Sequence, residues 1–201
     1  MRIGIDLDNT IINYDQAFYA AAVTLAMIPA ATEATKRAVK HHIHTQHPEG
    51  DVAWQKLQGY VYGRGIGAAT IYDGVIDCLT LCRARGWQVV IVSHKTVLGH
   101  FDPTECNLRD AARAWLAGKG FFSADDWKMN EVDVYFETTR AEKVSRIAAL
   151  GCDYFIDDLT EVFEEPHWAA STQQMLFAPS GAHEKHYKSW AEITQQLAAA
   201  G

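Results

Sequence analysis

The sequence predicts an α/β protein: a Rossmann-like parallel sheet with helices on both faces, plus a small all-helical cap inserted after the first strand. Three observations favour this class. Short apolar runs rich in β-branched and aromatic residues alternate with segments of helical periodicity. Several of these runs end in carboxylate or hydroxyl side chains. A long helical stretch, residues 14–70, follows the first run and breaks the alternation.

The apolar runs predict five strands, which cover residues 3–7, 88–93, 132–136, 154–156 and 175–177. Helices are predicted between them at residues 75–85, 108–117 and 140 to about 150, and a last amphipathic helix near residues 190–197. Thr139 and Glu142 form a capping-box pattern at the start of the third helix, and Gly151 marks its end.

The interrupting stretch predicts three helices, near residues 18–27, 35–44 and 52–62. A glycine-rich segment at residues 63–67 follows the third helix and connects the stretch to the rest of the chain. A helical insert with a flexible exit is typical of a lid over the carboxyl edge of the sheet, where ligands bind in open α/β proteins. We therefore predict a catalytic core of residues 1–13 and 71–201 and a cap of residues 14–70.

Bulk properties exclude some classes of function. The 201 residues carry a formal net charge of −7, which argues against a nucleic acid polymer as partner but not against a small phosphorylated metabolite. The four cysteines form no C-x-x-C pair and are expected to be reduced thiols. No signal peptide or membrane-spanning apolar run is visible, so we expect a cytoplasmic protein with no membrane partner.

The first apolar run delivers two acids, Asp6 and Asp8, with the hydroxyl of Thr10 two residues further on. Two carboxylates this close repel each other unless a cation or a division of labour accommodates them. A functional pairing would make Asp6 a nucleophile and magnesium ligand, and Asp8 a general acid and then a general base. The alternative is an Asx-rich turn after a strand.

Two further strand ends carry polar groups. The run 88–93 ends in Ser93, whose hydroxyl could bind a phosphoryl oxygen or could be an ordinary strand end. His94 and Lys95 follow, and both could reach the leaving group of a substrate or could be ordinary loop residues. The run 154–156 ends in Asp157 and Asp158, whose oxygens suit a hard ion such as Mg²⁺, or form a solvated strand end.

Taken together, these strand ends and Lys143 resemble the haloacid dehalogenase superfamily, specifically its phosphatase-type members. The resemblance covers residues 3 to about 163, and the residues that carry it, in family order, are Asp6, Asp8, Thr10, Ser93, Lys143, Asp157 and Asp158. It implies a Rossmann-like sheet with a lid, and the insert 14–70 lies where the helical lid of one subclass belongs. The sequence departs from the pattern at Ile156, where many members have glycine.

The resemblance also implies roles. Asp6 would attack phosphorus and become an aspartyl phosphate, while Asp8 would protonate the leaving oxygen and then activate water. Magnesium would be held by Asp6, the backbone carbonyl of Asp8 and Asp157, with Asp158 binding through water or orienting the site. Ser93 and Lys143 would hold the transferring oxygens. The acid at Asp8 favours a phosphate enzyme over a dehalogenase, since members that cleave carbon–halogen bonds generally lack it.

Three functions stay open at this point: a magnesium-dependent phosphohydrolase of a small monoester, a phosphotransferase that uses the same aspartyl phosphate, and a non-catalytic phospho-ligand-binding protein. Arg64, in the glycine-rich exit, is the predicted substrate contact of the cap, with a solvated hinge arginine as its alternative. A histidine cluster at residues 41–47 matches no standard zinc ligand set and is expected to be a polar helix face.

Overall fold

The computed structural model of this protein describes residues 1–101, 104–123, 129–181 and 186–200. The gaps lie within the segment that the sequence assigns to the core. In chain order the strands are β1 (Arg2–Ile5), β2 (Ile12–Asn13), β3 (Thr70–Ile71), β4 (Gln88–His94), β5 (Val134–Glu137), β6 (Tyr154–Asp157) and β7 (Gln173–Leu176). The helices are α1 (Asp15–Thr24), α2 (Lys36–Gln46), α3 (Gly50–Tyr62), α4 (Val75–Ala84), α5 (Leu108–Gly118), α6 (Arg140–Leu150), α7 (Thr160–Phe163) and α8 (Trp190–Ala200).

Five strands form one parallel sheet in the order β5-β4-β1-β6-β7, which confirms the predicted Rossmann-like class. The chain runs from β1 outward through β4 to β5, then returns to the other side of β1 for β6 and β7. Because parallel crossovers are right-handed, the outward connection through α4 and the return connection through α6 cover opposite faces of the sheet. Short β2 and β3 form a separate two-stranded sheet.

The central strand β1 depends on a glycine. A Cβ on Gly4 would lie 2.5 Å from the ring of Phe155 on neighbouring β6 and 2.9 Å from Cys152 Sγ. Phe155 belongs to an apolar cluster between the sheet and α6, together with Val90 and Ile147. Glycine at position 4 therefore lets this cluster close over the middle of β1.

The contacts divide the chain into two compact units. The first contains Met1–Ile12, Ile71–Lys95 and Gly120–Gly201, and so holds the five-stranded sheet. The second contains Asn13–Thr70 and Thr96–Lys119. The residues predicted as the cap all lie in the second unit, which also takes in α5. Their action as a lid stays a prediction.

The second unit has its own aromatic centre. Phe18 stacks on Trp54 with 4.9 Å between ring centroids and meets Tyr62 edge-on at 5.6 Å. Thr35 caps α2 by accepting a hydrogen bond from Ala38 N–H. The three helices predicted for residues 14–70 are thus α1, α2 and α3, displaced by a few residues at their ends.

Element ends differ from the predictions where local turns intervene. The strand predicted at residues 132–136 begins at Val134, because Glu131–Asp133 form a 3-10 turn and leave Val132 77% exposed. The sequence did not predict β2, β3 or the single-turn helix α7. All four cysteines are free thiols. Across the described ranges, the helices are too short or too polar to cross a membrane.

Candidate active site

The candidate site lies where β1 and β6 meet at the carboxyl edge of the sheet. This is the point at which the strand order reverses, and in open α/β sheets ligands bind in the crevice formed there. Asp6 directly follows β1, and its N–H donates to Ile156 O at 2.9 Å. Asp157 ends β6, so the parallel pairing of the two strands brings both carboxylates to the same place.

A buried lysine binds both of these acids. Lys143 Nζ lies 2.5 Å from Asp6 Oδ1 and 2.7 Å from Asp157 Oδ2. The contact with Asp6 is a hydrogen bond, whereas the contact with Asp157 is an ion pair that lacks hydrogen-bond geometry. All three residues are at most 4% exposed, so water screens these charges only weakly. Lys143, to which the family resemblance assigns a role at the site, is therefore buried between two of the site's acids.

Helix α6 fixes the position of Lys143. Thr139 accepts a hydrogen bond from Glu142 N–H and Glu142 bonds back to Thr139 N–H, which is the predicted capping box. The box fixes the first turn of α6, and Lys143 lies on its buried face. Lys143 Nζ also lies 5.5 Å from the centre of the Phe155 ring, a contact that favours a cation.

Burial and neighbouring charges shift the pKa values of this group. Burial raises the pKa of Asp6 to about 7; Lys143 opposes the rise, and Asp157 and Asp8 add to it. Burial alone would lower the pKa of Lys143, but Asp157 and Asp6 outweigh it and raise that pKa above its ordinary value. The lysine is therefore charged, and Asp6 is a carboxylate whose ionisation needs more positive charge nearby.

The loop after β1 carries Asp8 and Thr10. Asn9 takes a positive φ of 61°, a conformation that asparagine tolerates better than most residues, and the chain turns there. The hydroxyl of Thr10 lies 3.4 Å from both Asp6 Oδ2 and Asp158 Oδ1. Trp190 of α8 donates from Nε1 to Thr10 O at 3.0 Å and anchors the loop. Sequence reasoning missed this role of Trp190.

The end of β4 supplies a hydroxyl and a second buried lysine. Ser93 is 1% exposed, and among the described residues its Oγ has no hydrogen-bond partner, which is a rare state for a buried hydroxyl. Lys95 Nζ lies 2.7 Å from Asp8 Oδ2. His94 is exposed, and its Nε2 lies 2.8 Å from Thr138 O.

The donor set fits a hard divalent cation. Oxygens of Asp6, Asp157 and Asp158 lie within 4.8 Å of one another. Carboxylate oxygens are the ligands that Mg²⁺ prefers, and Lys143 by itself cannot balance three acids. The side chain of Asp8 is paired with Lys95 instead. The backbone carbonyl that the resemblance assigns to the metal remains a prediction.

The other residues singled out from the sequence lie in the second unit. Arg64 is exposed, with its guanidinium 5.4 Å from the centre of the Tyr60 ring. Of the clustered histidines, His44 pairs with Asp51 at 3.1 Å and His47 Nε2 lies 2.8 Å from Met27 O. Within the described residues, no histidine belongs to a group that could hold a metal.

The fold has solved counterparts, although no protein-family model and no curated protein matches the chain. A hydrolase of the haloacid dehalogenase (HAD) family from Deinococcus radiodurans, solved with bound phosphate and sodium, is 17% identical, with a TM-score of 0.60 over 100% of this chain and 96% of its own. A HAD-superfamily hydrolase of subfamily IA from Geobacter sulfurreducens is 14% identical, with a TM-score of 0.56 over 98% and 95%. The protein named tyrosine kinase A of Mycobacterium tuberculosis is 15% identical, with a TM-score of 0.62 over 98% and 97%. This chain therefore has the fold of the haloacid dehalogenase superfamily.

Proposed function

We propose that this protein is a magnesium-dependent phosphohydrolase that cleaves a small phosphate monoester through an aspartyl phosphate on Asp6. The observation that carries the proposal is the buried carboxylate of Asp6 at the strand switch point, within reach of Lys143 and of the two further acids Asp157 and Asp158. A structural ion pair would need one acid for one lysine, whereas this arrangement leaves an excess of negative charge that suits a metal ion.

In the first step, a carboxylate oxygen of Asp6 attacks phosphorus, and the bond from phosphorus to the leaving oxygen breaks. Asp8 gives its proton to that oxygen, so the alcohol leaves neutral. Lys143 and the hydroxyl of Ser93 stabilise the phosphoryl oxygens. Phosphoryl transfer depends mostly on such positioning and charge stabilisation, because there is little covalent chemistry for the protein to do.

In the second step, Asp8 takes a proton from water, and the water oxygen attacks phosphorus of the aspartyl phosphate. The bond from phosphorus to Asp6 breaks, which releases inorganic phosphate and restores the carboxylate. Asp8 thus donates and regains one proton in each cycle. The chemistry that magnesium supplies when bound is charge neutralisation, which removes the repulsion between an anionic nucleophile and an anionic substrate.

A phosphotransferase is the second candidate function. The first step would be the same, and an acceptor hydroxyl would replace water in the second. The likeness in fold to a protein named as a tyrosine kinase supports keeping this candidate. Product analysis separates the two, because only hydrolysis releases phosphate in the absence of an acceptor.

The experiment is inorganic phosphate release from a panel of phosphorylated metabolites and from p-nitrophenyl phosphate, with magnesium and with chelator. We expect the wild type to release phosphate only with magnesium, and Asp6→Asn to lower the rate by at least about 10³-fold, since it removes the nucleophile. The matched control is Asp77→Asn, the same chemical change at an exposed position of α4. Substantial turnover by Asp6→Asn, or turnover indifferent to chelator, would exclude the proposed mechanism.

A further inference from the structure

The site contains two buried lysines, and they contact different acids. Lys143 binds Asp6 and Asp157, the acids assigned to the nucleophile and the metal. Lys95 binds Asp8, the acid assigned to proton transfer, at 2.7 Å. The general acid therefore has a cation of its own, which the resemblance to the haloacid dehalogenase superfamily did not lead us to expect.

The position of Lys95 follows from the way β4 ends. Lys95 N–H donates to Glu137 O at 2.9 Å and extends the ladder between β4 and β5 by one residue. Side chains alternate along a strand, so Lys95 lies on the same face as Ser93, and His94 lies on the other. The exposures agree: Ser93 and Lys95 are 1% and 3% exposed, while His94 is exposed.

The order of burial separates two possible roles for Lys95. Its side chain is 2% exposed, against 19% for the side chain of Asp8. Of the two side chains, Asp8 is therefore the more accessible to a ligand, and Lys95 is almost fully covered. This order favours an action of Lys95 through Asp8 over the direct substrate contact predicted from the sequence.

A buried ammonium is costly to desolvate, and it is retained where a close partner compensates it. A hydrogen-bonded ion pair also restricts the partner, because Oδ2 of Asp8 must stay near Lys95 while that contact holds. A general acid works only if its proton is within hydrogen-bond reach of the leaving oxygen. Restricting the Asp8 rotamer is thus a direct way to keep the carboxyl group in place.

We propose that Lys95 is a positioning residue, which donates to Oδ2 of Asp8 and so leaves Oδ1 to carry the proton toward the leaving oxygen of the substrate. This inference rests on the proposed phosphohydrolase function. It predicts that removal of Lys95 damages leaving-group protonation and leaves substrate binding intact.

The test compares the wild type, Lys95→Met, Lys95→Arg and the control Lys188→Met on two substrates, the best alkyl phosphate of the panel and p-nitrophenyl phosphate. Lys188 is an exposed lysine of the same unit. For Lys95→Met we expect the single-turnover rate of enzyme phosphorylation, which excludes the later attack of water that Asp8 also assists, to fall by about 10–100-fold on the alkyl phosphate and by no more than about threefold on the activated aryl phosphate, because the aryl leaving group needs little protonation. KM should stay unchanged. Lys95→Arg should restore part of the loss, and Lys188→Met should behave as wild type.

Three results would overturn the proposal. Equal losses in the rate of enzyme phosphorylation on both substrates would indicate a merely structural role for Lys95. A rise in KM on both substrates with kcat unchanged would indicate direct substrate binding. Wild-type kinetics for Lys95→Met would exclude any role.

A measurement that needs no turnover separates this proposal from the proposed function. In the full chain labelled with ¹³C at aspartate carboxyls, the Asp8 resonance is the one lost in Asp8→Asn. Lys95→Met should shift it, and Lys188→Met should not. A wild type that releases no phosphate refutes the proposed function, whereas an Asp8 resonance that does not respond to Lys95→Met refutes the positioning contact.

Discussion

At the scale of single residues, the main feature of the site is that one lysine contacts two acids. Lys143 is the buried cation shared by Asp6 and Asp157, and each of those carboxylates is at most 4% exposed. A buried ion pair adds little net stability when complete, but removing one partner leaves an uncompensated buried charge. Loss of Lys143 should therefore lower the free energy of unfolding of the protein strongly.

We predict that Lys143→Met lowers the free energy of unfolding by about 3–5 kcal/mol in metal-free protein at about pH 8, above the raised pKa of Asp6, because the buried acids Asp6 and Asp157 lose their cation. Urea denaturation measures this change. The double variant Lys143→Met with Asp6→Asn should recover part of the loss, since one of the two acids is then neutral. Lys188→Met, at an exposed lysine, should lie within about 0.5 kcal/mol of the wild type. If Lys143→Met and Lys188→Met lowered the free energy of unfolding by similar amounts, the shared role of Lys143 would be contradicted.

The positions of the candidate site residues could be predicted from the sequence only where those residues lie at the ends of strands. Asp6, Ser93 and Asp157 each end or follow an apolar run, and such ends meet at one edge of a parallel sheet, so the positions were predictable. The side chains that each of these residues contacts could not be predicted. Lys95 follows Ser93 in the sequence like any loop residue, and only the extension of β4 by one ladder bond places it against Asp8. The pattern that could have indicated this is the alternation of Ser93 and Lys95 on one strand face.

At the scale of elements, β1 joins the core to the site. Its middle residue, Gly4, lies under Phe155, and the same ring lies 5.5 Å from Lys143 Nζ. A side chain at position 4 would therefore push a ring that supports the site. The sequence predicts β1 from its apolar run, but the need for glycine depends on a neighbour 151 positions away, which no local pattern contains.

We predict that Gly4→Ala destabilises the protein by about 1–3 kcal/mol, since overpacking a well-filled core costs this much. The matched control is Gly118→Ala in α5, where an added Cβ meets no atom within 4 Å and alanine favours the helix. Thermal and urea unfolding of the two variants give the comparison. A stable Gly4→Ala variant would mean that Phe155 moves aside without cost, and the close packing described for β1 would be wrong.

At the scale of the whole molecule, the sequence indicates the fold class and not the strand order. Alternating apolar runs and helices are typical of a parallel sheet, yet the order β5-β4-β1-β6-β7 is decided by long-range pairings. The association of Thr96–Lys119 with the second unit was likewise not predicted, because α5 has the same local pattern as the core helices. The segment 14–70 is predicted as an insert because it breaks the alternation of strands and helices, and it stays a prediction.

The raised pKa of Asp6 gives the whole molecule a pH dependence. In the metal-free protein, Asp6 keeps its proton up to about pH 7, whereas an unfolded carboxyl ionises near its ordinary value of 3.8. Between these values the folded state binds more protons than the unfolded state, so this group makes stability fall as pH rises. Magnesium needs the ionised carboxylate and competes with that proton, so its affinity should rise with pH up to about 7.

We predict that a fixed concentration of magnesium raises Tm more at about pH 8 than at about pH 5.5, because ligand binding to the folded state stabilises it by an amount that increases with affinity. Differential scanning fluorimetry measures the shift, and Asp77→Asn is the control that should match the wild type. In Asp6→Asn the shift should be small at both pH values. An equal shift in the wild type at both values would show that Asp6 does not bind the metal.

The central claim is that the carboxylate of Asp6 becomes phosphorylated during turnover, and the most direct measurement is to trap that intermediate. Protein mixed with substrate and magnesium is quenched in acid within the first turnovers, digested, and mapped by mass spectrometry. Asp8→Asn is included with p-nitrophenyl phosphate as substrate, whose leaving group needs little protonation, because loss of the base then slows release of the phosphoryl group more than its formation and should raise its yield. We predict one phosphoryl group on the peptide that contains Asp6, which is absent in Asp6→Asn and unaffected in Asp77→Asn. Phosphate release without any modified peptide, or a phosphoryl group on another residue, would contradict the claim.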